Sequence, residues 1–332
     1  MPQAAAQTKA APAPGSVERY LPEIVCCLLL IGAFVAGSHL SRHFLNARYL
    51  LQATSAYMET GIMALAMTLI IVAGKIDLSV ASTLSLSACA TALLNTAAGV
   101  PLPVALLCGL LLGGLLGLLN GLMIVKLRLP SLTVTLGTLA LYRGVAQILL
   151  GDHSIARFPD WFAGIDYRYV GPLPLPLVLF LCLAVGAAVL LHRTAFGRTL
   201  YAQGAGHTAS RYSGVAVGRN TVVLFTLSGL MAAIAGLIMT SRLGVARFDL
   251  GLGLELNVIT AVVLGGADIF GGRGTIFGTV TALFLLGIVR DAMGVANITA
   301  QEQLIVMGVL LLLSVGLANL LRGRAGGALR GR

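Results

Sequence analysis

The sequence predicts an all-α fold: a polytopic transmembrane helical bundle of about ten helices with both termini on the cytoplasmic side. Three observations carry that expectation. Of 332 residues, 58% are hydrophobic and only 10% are charged; mean hydropathy is +0.94; and long apolar runs recur from residue 24 to residue 321 with no soluble segment of domain size between them. Soluble chains carry about 45–50% apolar and about 25% charged residues, so lipid is the solvent this composition suits.

Each run of roughly 20 apolar residues reads as a helix, because a helix satisfies its own backbone inside lipid and an open sheet edge does not. In chain order the runs are 22–40, 54–73, 78–97, 102–125, 131–150, 174–191, 220–241, 254–270, 274–294 and 303–321. Two are irregular. The run at 78–97 is rich in Ser and Thr, and 254–270 carries Glu255 and Asn257 and ends in glycines. Either reads equally well as a broken or re-entrant helix lining a cavity. Residues 1–21 read as a disordered cytoplasmic tail, 22–321 as one transmembrane domain and 322–332 as a basic cytoplasmic tail. The Ala- and Pro-rich start, with Lys9 and Arg19 before an apolar stretch, also has the outline of a secretory signal peptide, whereas a retained first helix explains the same residues without cleavage.

The net charge of +10 follows the loops rather than forming a nucleic-acid footprint, so no nucleic acid is expected as a partner. Short cytoplasmic loops carry excess Lys and Arg. Three stretches without Asp or Glu have that character: the loop with Lys126 and Arg128, the polar segment 192–219 with Arg193, Arg198, Arg211 and Arg219, and the C-terminal tail with Arg322, Arg324, Arg330 and Arg332. On the other side, Asp152, Asp160 and Asp166 offset Arg157 and Arg168, although Arg42 and Arg48 fall there too.

Missing motifs narrow the chemistry. Gly74-Lys75 is followed by Ile76, so no phosphate loop is present and any ATP use belongs to another chain. No HExxH, GxSxG or CxxC motif suggests an enzyme, and no cofactor or metal is expected. Cys26, Cys27, Cys89, Cys108 and Cys182 lie in apolar runs, where thiols act as small hydrophobes. Glu59, Asp77, Glu255, Asp268, Asp291 and Glu302 lie almost all at expected helix ends. Such carboxylates read as caps or interfacial groups ahead of an ion relay. Segment 192–219 is punctuated by Gly197, Gly204, Gly206, Gly214 and Gly218, which allow sharp turns around a short helix at 207–213.

Four stretches carry a family resemblance: "GKIDLSVAS" at 74–82, "NGLMIVKLRLPSLTVTLGTLALYRG" at 120–144, "TAFGRTLYAQGAGHTASRYSGV" at 194–215 and "ELNVITAVVLGGADIFGGRGTIFGT" at 255–279. Across roughly residues 50 to 320 the chain resembles the permease subunits of bacterial ABC importers for sugars, of the ribose, xylose, rhamnose and autoinducer-2 type. It departs from the family pattern at Lys75 and Ala81, which stand in place of glycines, at Gly206 in place of Asn, and at Ser210 in place of Ala.

The resemblance implies a membrane-spanning subunit of the bacterial inner membrane that moves a small sugar and supplies half of a pathway. The implied partners are separate ABC ATPase subunits, a periplasmic or lipoprotein solute-binding protein, a second permease in a homodimer or heterodimer, and membrane lipid. It implies that Gly197, Arg198, Tyr201, Gly204, Arg211 and Gly214 couple to the ATPase. Asp77, Ser79, Thr133, Thr135, Glu255 and Asn257 become candidates for the translocation pathway, with helix capping and interhelical bonding as their competing roles. Gly265, Gly266, Gly271, Gly272, Gly274 and Gly278 suit a broken helix followed by close packing. An ion-coupled carrier or facilitative channel working without ATPases is the alternative, and it would lean on Glu59 and Asp77.

Overall fold

The computed structural model describes residues 16–40, 44, 46–156 and 158–299, with isolated positions from 301 to 316. The chain is a helical bundle. Its helices are α1 (Ser16–Leu40), α2 (Ala47–Thr54), α3 (Met58–Val72), α4 (Val80–Thr96), α5 (Leu102–Lys126), α6 (Ser131–Leu150), α7 (Leu175–Arg193), α8 (Ala195–Ala205), α9 (His207–Tyr212), α10 (Val217–Leu243), α11 (Leu254–Leu264) and α12 (Ile276–Val295). The β structure among the described residues is slight. A hairpin pairs β1 (Tyr169–Val170) with β2 (Leu173–Pro174), and a single bridge joins Ile155 to Ala246.

Among the described residues, seven segments are long and apolar enough to cross a membrane: Pro22–His39, Ala47–Val72, Leu102–Lys126, Ser131–Leu150, Leu175–Arg193, Val217–Leu243 and Ile276–Val295. The second joins α2 and α3 through a 3₁₀ turn at Ser55–Tyr57. The two irregular runs are short helices. At 1.5 Å per residue α4 rises about 25 Å and α11 about 16 Å, against roughly 30 Å of hydrocarbon. The expected span 254–270 therefore stops early: α11 ends at Leu264, and Gly266 adopts φ +93°, which turns the chain out of the helix. Helix α1 begins at Ser16, inside the stretch read as tail. Most of the expected span 303–321, all of the basic tail 322–332 and residues 1–15 lie outside the described residues.

Helix α3 is the axis of the bundle. Its sequence is apolar on every side, and Ile62, Met63, Met67, Ile70 and Ile71 are fully buried, as expected for a helix surrounded by other helices. Around it stand α10, α11, α7 and α12. Helices α5 and α10 approach each other most closely, because α5 repeats glycine every fourth residue at Gly109, Gly113, Gly117 and Gly121. A Cβ at Gly117 would fall 2.1 Å from Phe225 O, and one at Gly229 of α10 would fall 2.1 Å from Gly113 O. With no side chain between them the two backbones touch, which is how helices associate in lipid. The outward faces of α1, α5, α6 and α7 present Leu28, Leu111, Leu136, Ile148 and Val185, apolar surface suited to acyl chains. All five cysteines are free thiols, with Cys26 and Cys89 buried.

Candidate functional site

Helices α8 and α9 project at one end of the bundle, and α8 is fused to two other segments by backbone contact. The chain reverses at Thr194, whose hydroxyl donates to Leu190 O at 2.6 Å and accepts the Gly197 N–H at 3.1 Å, capping α8. Gly197 then lies against the end of α7, where a Cβ would be 1.9 Å from Leu191 O. One turn further on, Tyr201 donates its hydroxyl to Gly274 O at 2.7 Å. Gly204 completes the junction: a Cβ there would stand 2.0 Å from Val72 O and 2.3 Å from Gly272 N.

The segments meeting α8 are the exits of α3 and α11. Gly272 N–H donates to Val72 O at 2.8 Å. Gly271 takes φ +97°, and its α-carbon side packs on Gly74 and Gly204, where a Cβ would be 2.7 Å and 2.9 Å from their Cα atoms. Three glycines from three segments thus form one contact, and no other residue type would let the backbones meet. Beside it, Gly265 and Gly278 cross with a Cβ at Gly278 only 1.9 Å from Gly265 O, so the end of α11 rests on the start of α12. Arg198, Arg211 and Gly214 are exposed, and Gly214 has φ +82° in an open turn.

A cavity of about 620 Å³ opens beside α9, lined by Lys75, Arg128, His207, Arg211 and Arg219 with no acidic side chain among the lining residues. Burial pushes the Lys75 ammonium below its ordinary value. The three arginines of the lining keep the cavity basic all the same.

Deeper in the bundle a polar knot ties four helices together. Asp77 Oδ1 accepts the Ser79 N–H at 2.9 Å and the Ser79 hydroxyl at 2.6 Å, and Oδ2 accepts the Ser228 hydroxyl at 2.7 Å. Asn120 Nδ2 donates to Ser79 Oγ at 2.8 Å, and the Tyr142 hydroxyl reaches Asn120 Oδ1 at 3.0 Å. All five residues are buried. Asp77 and Ser79 thus sit at the start of α4, bonded to α5, α6 and α10. Thr135 is also buried and donates to Ser131 O at 2.9 Å, whereas Thr133 is exposed on the opposite face of α6.

A second polar group begins at Arg143, the residue after Tyr142. Arg143 of α6 donates through Nη1 to Phe248 O at 2.6 Å and Leu250 O at 2.8 Å, anchoring the segment before α11. Ser85 of α4 donates to the same Phe248 O at 2.5 Å. The Glu255 carboxylate at the start of α11 acts electrostatically on the Arg143 guanidinium. Arg143 Nε and Glu255 Oε2 are both buried without a hydrogen-bond partner. Asn257 is half-buried two residues along. Further out, Glu59 and Arg242 form an ion pair at 2.7 Å. Among the described residues no group of His, Cys, Asp or Glu could hold a metal ion.

Short half-helices flanking a buried polar centre, closed at one end by a basic helical platform, are the parts of a transport subunit. Residues 49–315 match the family described as branched-chain amino acid transport system / permease component. The chain belongs to this permease family. It is 37% identical over 303 residues to the autoinducer 2 import system permease protein LsrD of Escherichia coli (strain K12), covering 90% of this chain and 92% of that one. The protein of the same description from Photorhabdus luminescens is 35% identical over 304 residues, covering 90% and 91%. No solved structure matches the chain. The permease is a multi-pass inner-membrane protein and a transport component rather than an enzyme.

Sequence reasoning about the permease passed over several residues that the structure brings forward. Arg143 lies inside an apolar run, where a charge is costly and usually functional, so its position alone could have singled it out. Asn120, Tyr142 and Ser228 carried no such signal, because each is an ordinary polar residue until Asp77 and Ser79 meet it. The four-residue repeat of glycines in α5 was readable as a helix-packing ridge.

Proposed function

We propose that the permease forms one half of the membrane pathway of an ABC importer for a small sugar such as ribose, rhamnose, xylose or autoinducer-2, with the α8–α9 end facing the cytoplasm. Separate ATPase subunits would drive it, a soluble binding protein would deliver solute to the far side, and a second permease, identical or related, would complete the pathway. The observation that carries this reading is the glycine contact of Gly204 with Gly74, Gly271 and Gly272. Through it a displacement of α8 reaches the loop leading into α4 and the loop leaving α11 without a flexible intermediary. The basic cavity beside α9 suits an acidic ATPase surface.

A two-state bundle moves only when a partner prefers one state, and ATP-driven closure of the motor subunits supplies that preference. The autoinducer-2 relatives support a sugar over an amino acid as solute, and the unpartnered Arg143 Nε and Glu255 Oε2 offer a donor and an acceptor for hydroxyl groups. The ion-coupled alternative has less support, because Glu59 is paired with Arg242 and Asp77 is bonded by Ser79 and Ser228.

The test is uptake by the complete transporter in proteoliposomes. Arg211→Glu, at an exposed position, is expected to insert normally and abolish ATP-dependent accumulation, and Gly204→Trp to abolish it by prising the glycine junction apart. Normal uptake by both variants overturns the coupling assignment. Accumulation by the permease alone under an ion gradient would establish the carrier reading instead.

A further inference from the structure

At the α8 end, a second cavity of about 540 Å³ opens on the flank of the bundle between α1, α7 and α12. Its lining comprises Ile24, Cys27 and Leu28 of α1, His192 of α7, Thr275 and Phe277 at the start of α12, and Glu23. Leu28 is 63% exposed and Phe277 is 64% exposed, so the mouth is open and apolar on the outer face of the described bundle. The polar floor is formed by Glu23, only 7% exposed. Its Oε1 accepts the Thr275 hydroxyl at 3.1 Å, while Oε2 is buried with no partner.

A carboxylate oxygen without a donor in a lipid-facing cavity is costly, and burial of such a group is tolerated where a ligand supplies the counter-charge. Other than Glu23 and the Thr275 hydroxyl bonded to it, the lining brings only the thiol of Cys27 and the imidazole of His192, which reaches the Tyr201 hydroxyl at 3.5 Å. No Lys or Arg lines it. The occupant that fits has a cationic head with N–H donors and an apolar body.

We infer that this cavity binds one aminophospholipid, with the primary ammonium of phosphatidylethanolamine on Glu23 Oε2 and its chains along Ile24, Leu28 and Phe277. The site is connected to the glycine junction. A Cβ at Gly266 would lie 2.7 Å from Pro22 Cβ, so the loop leaving α11 rests on the turn of α1 that carries Glu23. Thr275, bonded to Glu23, also caps α12 by accepting the Gly278 N–H at 3.0 Å. A head group held here would fasten α1 to the α11–α12 turn beside α8, and lipid composition would then tune the permease.

The experiment places the purified full-length permease in nanodiscs of phosphatidylcholine doped in turn with phosphatidylethanolamine and its mono- and dimethyl derivatives. Retained lipid is read by native mass spectrometry and the thermal midpoint is followed in parallel. The expected result is retention of one phosphatidylethanolamine per chain with a raised midpoint, weakening with methylation and absent for choline, which has no N–H. Glu23→Gln is expected to lower that retention about tenfold, the loss of one charge-assisted bond. Cys27→Phe, which fills the cavity and keeps the carboxylate, is expected to abolish it. Equal retention of choline and ethanolamine lipids by the native protein overturns the proposal, as does an unchanged ethanolamine preference in both variants. If Glu23→Gln does not fold, Cys27→Phe decides alone.

Discussion

The Asp77 knot and the Arg143–Glu255 group are both buried polar clusters in an apolar bundle, and they differ in how completely their valences are filled. Around Asp77 each side-chain polar atom has a hydrogen-bond partner: the two carboxylate oxygens take three bonds, and Asn120 closes the chain from Ser79 to Tyr142. Around Arg143 two atoms, its own Nε and Glu255 Oε2, have no hydrogen-bond partner. A satisfied network rigidifies its surroundings, whereas an unfilled one in the same low-dielectric setting is ready to accept a ligand. The difference sets the two clusters apart: α4 is fixed at its start by Asp77, while Arg143 and Glu255 keep a donor and an acceptor unfilled.

The largest effect expected from this contrast is in the knot. Asp77→Ala strands the Ser79 N–H and the Ser79 and Ser228 hydroxyls, at roughly 1 kcal/mol or more for each, and should remove most folded protein from the membrane. Size-exclusion chromatography and thermal unfolding in detergent read this directly, and a stable, monodisperse Asp77→Ala protein would break the contrast. Next in size is Gly117→Leu in the α5 ridge, where backbone already occupies the Cβ position. Overpacking there should cost about 1–3 kcal/mol or force the helices apart. Gly137→Ala, with nothing near its Cβ, is the matched control and should be nearly neutral.

Glu255→Gln sharpens the other side of the comparison. The thermal midpoint should hold while uptake falls about tenfold, as for loss of one charge-assisted bond to solute. A drop in stability with uptake per folded molecule unchanged would make Glu255 a structural group like Asp77. The smallest effect is expected at Thr133, which points away from the bundle. Thr133→Val should shift stability by less than about 0.5 kcal/mol and leave uptake unaltered, and a strong transport defect there would place α6 at the pathway or at a partner.

Parts of this architecture were legible because the signals are local. Hydropathy placed the long spans, and the Ser- and Thr-rich run at 78–97 and the glycine-ended run at 254–270 were already marked as irregular. The short helix expected at 207–213 is α9. The lengths of α4 and α11 were less legible, since a helix stops where packing and a glycine at positive φ allow it, and Gly266 does this only in the fold. Asp77 could be read as a cap, but the N-cap position of α4 is Ser79, without a side-chain cap bond, and Asp77 instead accepts the Ser79 N–H from two residues before it. Its bond to Ser228 spans residues far apart in the chain and left no periodic trace.

By itself, then, the sequence determined that this chain lives in a membrane, which of its segments are basic, and where its glycines cluster. Those are properties of composition and of neighbours along the chain, and the solvent acts on them segment by segment. The tertiary structure alone decided that Gly204 would meet Gly74, Gly271 and Gly272, that Asp77 would be fully bonded while Glu255 would not, and that Glu23 would close a lipid-facing cavity. In each case the deciding quantity is the distance between groups far apart in the chain, and that distance is set by how closely the helices and the loops between them pack.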